Sequence, residues 1–282
     1  MITIKKTKVH KTEWNLKDLY TGTGSKQIKI DFAKLEKSAI KFNQKYRKKI
    51  NDNVSPKLIL KAIKELEKIY EGLGKLSSYS SLLFATDTNN EKISKFYQAT
   101  SEKISSVRKN LIFFFLDWNK IKDKNAKRIY SSPILKDYSH LLKSERKYKE
   151  FVLSEPEERI LDQKSLTSSK AFNRLFDETL NNMYFDIRIN KKKKTLTETQ
   201  ILALLYDTKR PVRFKAAQSL TEGLQSERKL LTFIFNQILS DSKILNDIRG
   251  YKKPIQSRNL SNEISDKTVG ALMATCNKYN FI

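Results

Sequence analysis

The chain has 282 residues, 39% of them hydrophobic, so it is long enough for one large core or two smaller ones. Lys and Arg number 56 against 31 Asp and Glu, and the formal net charge of +25 would attract polyanions. A single cysteine, Cys276, excludes an intramolecular disulfide and indicates a reducing, cytoplasmic setting. The sequence has no secretory signal, and its longest strongly apolar run, residues 111–116, is too short to cross a membrane.

Two long amphipathic helices are predicted near the N-terminus. Apolar residues within 32–46 recur at spacings of three and four, which places them along one stripe of a helix. A Ser-Pro pair at residues 55–56 supplies an N-cap and a first helical residue, and the same spacing continues through residues 58–76. Gly72 and Gly74 are expected to weaken the middle of this second helix.

A third long helix is predicted to begin at a cap formed by Asn89 or Asn90. Its apolar positions keep a four-three alternation from Ile93 to Trp118, which would make one helix about 39 Å long. Three such helices joined by short loops indicate an antiparallel bundle, which we expect to occupy residues 1–120.

The second predicted region, residues 121–282, has shorter elements. Ser132-Pro133 marks a start, and residues 154–157 form a capping box with proline in the first turn. The nearby acids Glu155, Glu157 and Glu158 resemble paired catalytic carboxylates, but acids favour the positive end of a helix for structural reasons. We therefore interpret them as structural.

One segment of this region, residues 184–189, alternates apolar and polar side chains and predicts a strand of a small hairpin near residues 184–197. Lys191 to Lys194 would form its turn and begin the return strand as a solvated tip. Five further helices are predicted after residue 170, and Gly250 is expected to end the fourth of them, at residues 230–248. These helices are predicted at residues 172–183, 198–206, 212–224, 230–248 and 269–279.

No metal or catalytic residue is predicted. The two histidines, His10 and His140, cannot form the H-E-x-x-H pair that grips zinc, and the chain has no Cys-x-x-Cys pair, P-loop or dinucleotide fingerprint. His140 is expected on a helix surface or in packing, and His10 lies in a polar terminus. Cys276 shares helical spacing with apolar neighbours, so we expect a small buried residue there and not a nucleophile.

Several segments resemble oligoendopeptidase F, of the thimet-oligopeptidase-like clan of zinc metallopeptidases. Residues 14–20 (WNLKDLY) are similar to the family's opening Trp-x-Leu-x-x-Leu-Tyr, and residues 153–161 (LSEPEERIL) to its Leu-Ser-Glu-x-Glu-Glu-x-Ile-Leu run. Other matching segments follow in the family's order over nearly the whole chain. They are residues 79–88, residues 172–178, the hairpin, residues 220–224 and residues 248–251.

This resemblance implies the N-terminal half of an elongated, mainly helical peptidase of roughly twice this length. Such a peptidase holds zinc in its back half and cleaves short peptides in a channel of which the front half is one wall. Its zinc ligands and general base have no counterpart here, so the chain is expected to be inactive alone and to carry no cofactor itself. An apolar ending at Phe281 and Ile282 also suggests an N-terminal fragment.

Candidate cleft contacts are Arg249, Tyr251 and Arg258, because a Gly-Tyr-Lys-Lys-Pro loop after a long helix could present donors to a peptide backbone or carboxylate. Packing of that loop is the alternative role for them.

Two other functions are considered. The first is a basic helical nucleic-acid-binding protein, although no RNP-like aromatic motif or basic recognition helix supports it. The second is a scaffold that has lost the catalytic half and keeps an apolar surface for a partner. A separate catalytic half and a second copy of the chain are the partners expected for such a surface.

Overall fold

The computed structural model describes residues 14–189 and 192–280, which form a mainly helical fold with one two-stranded sheet. Within these residues no helix is both long and apolar enough to cross a membrane. A short 3-10 helix, Pro133–Tyr138, lies between α5 and α6. The α-helices are α1 (Lys26–Tyr46), α2 (Pro56–Thr86), α3 (Glu91–Arg108), α4 (Phe113–Lys120), α5 (Asp123–Tyr130), α6 (Ser139–Arg146), α7 (Glu155–Lys164), α8 (Ser169–Asn182), α9 (Glu198–Leu204), α10 (Arg210–Ser226), α11 (Arg228–Arg249), α12 (Gln256–Ser261) and α13 (Asp266–Tyr279).

The first two predicted helices are present and pack together. Every predicted stripe residue of α1, from Phe32 to Tyr46, is buried. Ser55 caps α2 as predicted, and its Oγ accepts a hydrogen bond from the Leu58 N–H at 3.2 Å. α2 is continuous through Gly72 and Gly74, and the expected weakening of its middle stays a prediction. A Cβ at Gly72 would lie 2.6 Å from Leu35 Cδ2, so glycine is used there to bring the two helices close.

The single long helix predicted from Ile93 to Trp118 is wrong. Asn90 caps α3 with its side chain, but α3 ends at Arg108 and α4 begins at Phe113. Between them some backbone hydrogen bonds span three residues and not four, and one of these joins the Leu111 N–H to the Arg108 carbonyl at 2.8 Å. Two adjacent phenylalanines at the start of α4, Phe113 and Phe114, are both fully buried, which one stripe of a straight helix does not do.

The core of the first three helices continues into the chain that follows them. Trp118 is fully buried, and its indole N–H donates to the Leu142 carbonyl at 3.0 Å. Buried side chains of this core run from Tyr20 to Leu142. Residues 121–142 therefore pack against the helices that precede them, and the boundary at residue 120 stays a prediction.

A second, smaller core surrounds the predicted hairpin. Strands β1 (Tyr184–Ile189) and β2 (Lys192–Thr197) are antiparallel, with Tyr184 opposite Thr197. Alternate residues of β1 face this core, which is formed by Met183, Phe185, Ile187, Ile201 and Ala216. The turn residues 190 and 191 lie outside the described residues. The prediction of a hairpin between helices is confirmed.

Helices α8 to α11 and α13 each overlap a predicted helix, and Gly250 ends α11 with φ of 76° as expected. The predicted burial of Cys276 is wrong. Its side chain is exposed, and no residue of α13 is buried. Leu272 and Tyr279, two of the apolar positions that suggested packing, are also exposed. Residues 281–282 are not described.

Candidate functional site

The first turn of α7 carries the acids that resembled catalytic carboxylates. Glu157 completes the predicted capping box, because its carboxylate accepts from the Ser154 backbone N–H at 2.9 Å and from the Ser154 hydroxyl at 2.5 Å. These bonds lower the pKa of Glu157. This carboxylate therefore caps the N-terminus of α7 by pairing with the Ser154 backbone N–H.

Glu155 joins α7 to the end of α1. Both nitrogens of the Arg47 guanidinium fork donate to its carboxylate, at 2.8 and 2.9 Å, and Arg159 contacts the same group at 2.7 Å. The Arg47 guanidinium, with Arg159 nearby, holds the pKa of Glu155 below its ordinary value. A bidentate pair of this kind fixes geometry as well as charge.

Glu158 joins α7 to the end of α11 in the same way. The Arg249 guanidinium donates to both oxygens of Glu158 at 2.7 Å and also to the Phe151 carbonyl at 2.9 Å. Burial opposes ionisation of Glu158, but Arg249 and the Leu153 backbone N–H outweigh it and lower the pKa. The pair is mostly shielded from solvent, so it is stronger than an ordinary surface ion pair.

The three candidate cleft residues are in different surroundings. Arg249 directs its guanidinium at Glu158 and Phe151. The Tyr251 ring stacks on the Phe151 ring, with centroids 4.2 Å apart, and burial raises the pKa of its hydroxyl. Arg258 lies on α12 with an exposed side chain, and it shares none of these contacts in the described part of the chain. The structure therefore brings two of the three together, around Phe151.

An extensive apolar surface lies beside this site, on α11. Ile234 is buried and Phe233 packs edge-on against Phe172 of α8, with ring centroids 6.1 Å apart. The helical repeat places further apolar residues on both flanks of this contact. The exposed members of the two flanks are Phe233, Ile244 and Ile248 on one side and Phe235 and Leu239 on the other.

The described residues of this chain do not fit a zinc ion. A zinc site takes three or four nitrogen, sulfur or oxygen ligands in tetrahedral geometry. Across residues 14–189 and 192–280, no group of three His, Cys, Asp or Glu side chains could hold a metal. His140 lies on the surface of α6, as one predicted role required, and its Nε2 is 2.9 Å from Glu263. His10 falls outside the described residues.

Sequence reasoning found the acids of α7 and Arg249 but not their pairing. The dipole argument correctly gave the acids a structural role, yet it offered no means of selecting Arg47, which is 108 residues from Glu155. A surplus of 25 positive charges leaves many equivalent partners for each carboxylate. Only the fold selects among them.

Comparisons with known proteins point to one group of peptidases. The family Oligopeptidase F matches residues 117–185. Oligopeptidase PepF of Bacillus subtilis (strain 168) is 23% identical over 277 residues, which cover 94% of this chain and 39% of that protein. The crystal structure of oligoendopeptidase-F from Enterococcus faecium superimposes with a TM-score of 0.76 at 20% identity, over 89% of this chain and 48% of that one.

The chain thus spans less than half the length of either relative. The structural match shows a shared fold, and the sequence matches cover both the α7 region and nearly the whole chain. Taken together, sequence and fold make this chain an oligoendopeptidase F-like N-terminal region.

Proposed function

We propose that this chain is the noncatalytic N-terminal portion of a zinc metalloendopeptidase of the oligoendopeptidase F type, whose full-length form cleaves short peptides. The observation that carries the proposal is the similarity of 94% of this chain to only 39% of oligopeptidase PepF. The zinc ligands and the general base would belong to polypeptide that corresponds to the remainder of such a relative. The chain alone would have no peptidase activity.

The surface of α11 supports a role as one wall of a larger assembly. Apolar residues lie on both flanks of the contact between α11 and α8, whereas within α11 only Ile234 and Asn246 are buried. Phe214 on α10 and Leu272 on α13 are also exposed. We infer that the catalytic portion covers this surface and that the substrate channel runs between the two portions.

Arg258 is the best placed of the three candidate residues to contact a peptide. Its exposed guanidinium could pair with a substrate carboxylate. Arg249 and Tyr251 would hold the adjoining loop through Phe151 and Glu158. A cytoplasmic setting suits the free, exposed thiol of Cys276, which a reducing environment keeps from pairing between chains.

Two proteins test this proposal: the isolated chain and a chimera in which it replaces the aligned part of the Enterococcus oligoendopeptidase-F. Both are assayed with zinc and a short internally quenched peptide. We expect no turnover by the isolated chain and zinc-dependent turnover by the chimera. Hydrolysis by the isolated chain would contradict the proposal. A folded chimera that binds one zinc ion and yet cleaves nothing would contradict the role as channel wall.

Arg258→Ala in the chimera tests the contact, with Lys252→Ala from the same exposed surface as control. We expect KM to rise for peptides whose carboxylate can reach Arg258, while kcat changes little. The lost contact would have stabilised the bound substrate and the transition state equally. Equal effects of the two substitutions would remove Arg258 from the site.

A further inference from the structure

A groove between α1 and α2 forms a cavity of about 530 Å³ on the side of the molecule formed by the first core. One stripe of each helix lines it, at spacings that keep the residues on one face. The α1 stripe is Lys34, Ser38, Lys41 and Lys45, and the α2 stripe is Glu65, Lys68, Gly72 and Lys75.

The two stripes run antiparallel, so their lysines face one another. The Lys45 ammonium is 2.5 Å from the Glu65 carboxylate at one end, and Leu35 lies over Gly72 further along. This register places Lys41 across from Lys68 and Lys34 across from Lys75. The groove therefore has two rungs of facing positive charges, separated along each helix by about 10 Å.

The protein itself offsets part of this charge, at the two ends of the groove. Of the five lysines, Lys45 is the one with a carboxylate within ion-pair distance among the described residues. The remaining acid of the groove, Asp31, accepts hydrogen bonds from the Tyr20 hydroxyl and the Gln27 amide, each at 2.7 Å. Burial opposes its ionisation, but these bonds and the nearby Lys75 and Lys34 lower its pKa, and the Lys75 ammonium lies 4.6 Å from the centroid of the Tyr20 ring. The charges of Lys41 and Lys68 are therefore the least compensated in the groove. Facing like charges repel, and a bound anion would remove that repulsion.

The floor of the groove determines what kind of anion suits it. Leu35, Phe42 and Ile69 form an apolar base, which strengthens electrostatic attraction above it. The aromatic rings at this base, Tyr20 and Phe42, are buried and offer no open face on which a nucleobase could stack. The cavity volume suits a small ligand, and lysine ammonium groups are effective point-charge partners for phosphate.

We propose that the α1–α2 groove binds a small anion carrying two or more linked phosphate groups, with Lys34, Lys41, Lys68 and Lys75 as its ligands. The phosphates would lie along the two rungs. This site is separate from the α7 contacts and from the surface of α11, so it does not depend on the proposed peptidase role.

Calorimetric titration of the full chain with inorganic tripolyphosphate tests the site. A triple variant, K34Q/K41Q/K68Q, removes three groove charges, and K124Q/K127Q/K136Q removes three exposed lysines elsewhere with the same change in net charge. A charge-assisted hydrogen bond corresponds to about tenfold in affinity. We expect the groove variant to bind at least that much more weakly and the control variant to bind like the wild type.

Two further measurements separate a built site from general attraction. Tripolyphosphate should raise the melting temperature of the wild type and of the control but not of the folded groove variant, and K34R/K41R/K68R should keep the binding. Absence of binding at low salt, or equal weakening in both glutamine variants, would overturn the proposal. Tighter binding of tetraglutamate than of tripolyphosphate would overturn the assignment to phosphate.

Discussion

The two cores of the molecule differ in how completely their helices are covered. Helices α1 to α6 enclose a continuous apolar interior from Tyr20 to Leu142. The second core is limited to the hairpin and parts of α9 and α10, while α11 and α13 leave most of their apolar residues in solvent. Similar amphipathic sequences thus form a closed interior in one region and an open surface in the other.

The largest expected effect is a difference in the free energy of unfolding between two variants, each of which replaces one aromatic residue in one of these regions. Trp118→Ala should lower the free energy of unfolding by about 4 kcal/mol, because the ring is 0% exposed and its N–H donates to the Leu142 carbonyl. Phe235→Ala, at a position 61% exposed, should change it by less than about 0.5 kcal/mol. Urea denaturation, monitored by far-UV circular dichroism, measures both changes. Equal losses would remove the distinction between closed and open regions.

The next effect concerns the contact between α7 and α11. Glu158→Ala should destabilise the chain by about 3 kcal/mol, because it leaves the Arg249 guanidinium shielded and without its carboxylate. Glu91→Ala, another first-turn acid whose pair with Lys95 is exposed, should cost less than about 1 kcal/mol. Urea denaturation compares them. If Glu158→Ala also costs under about 1 kcal/mol, the pair does not join the two elements.

A smaller effect tests packing within the second core. A Cβ at Gly223 would lie 2.5 Å from Phe185 Cε1, so Gly223→Ala should cost about 2 kcal/mol. Gly270 in α13 has nothing within 4 Å of the same position, so Gly270→Ala should stabilise the helix by up to about 1 kcal/mol. Hydrogen exchange of the β1 amides should speed up in the first variant alone. Unchanged β1 protection in Gly223→Ala would mean that Phe185 moves without cost.

The smallest expected effect is the contribution of each carboxylate to the loss of stability at low pH. The pKa values of Glu155 and Glu158 are lowered in the fold, so their contribution is complete above the ordinary value of 4.5 and is lost as the pH falls through the folded values. The free energy of unfolding should therefore decline below that pH. The decline should be shallower in Glu158→Gln. An identical pH profile in that variant would show that Glu158 does not contribute.

Periodicity predicted α1 and α2 well because it reports which face is buried, and the apolar stripes of both helices are buried. It failed where adjacent residues are both buried, since one stripe of a helix cannot include both Phe113 and Phe114. It also failed at Cys276, because an amphipathic pattern shows that a face can be buried but not that a partner is present. At the candidate site, residue types were predictable and pairings were not.

The two arginine pairs on α7 have a consequence for the order of folding. Glu155 pairs across 108 residues and Glu158 across 91, so a long loop must close before each pair can form. Contacts of such long sequence separation form late. A substitution at Glu158 would then leave the folding rate almost unchanged and increase the unfolding rate. The contacts of α7 would in that case set the lifetime of the folded chain.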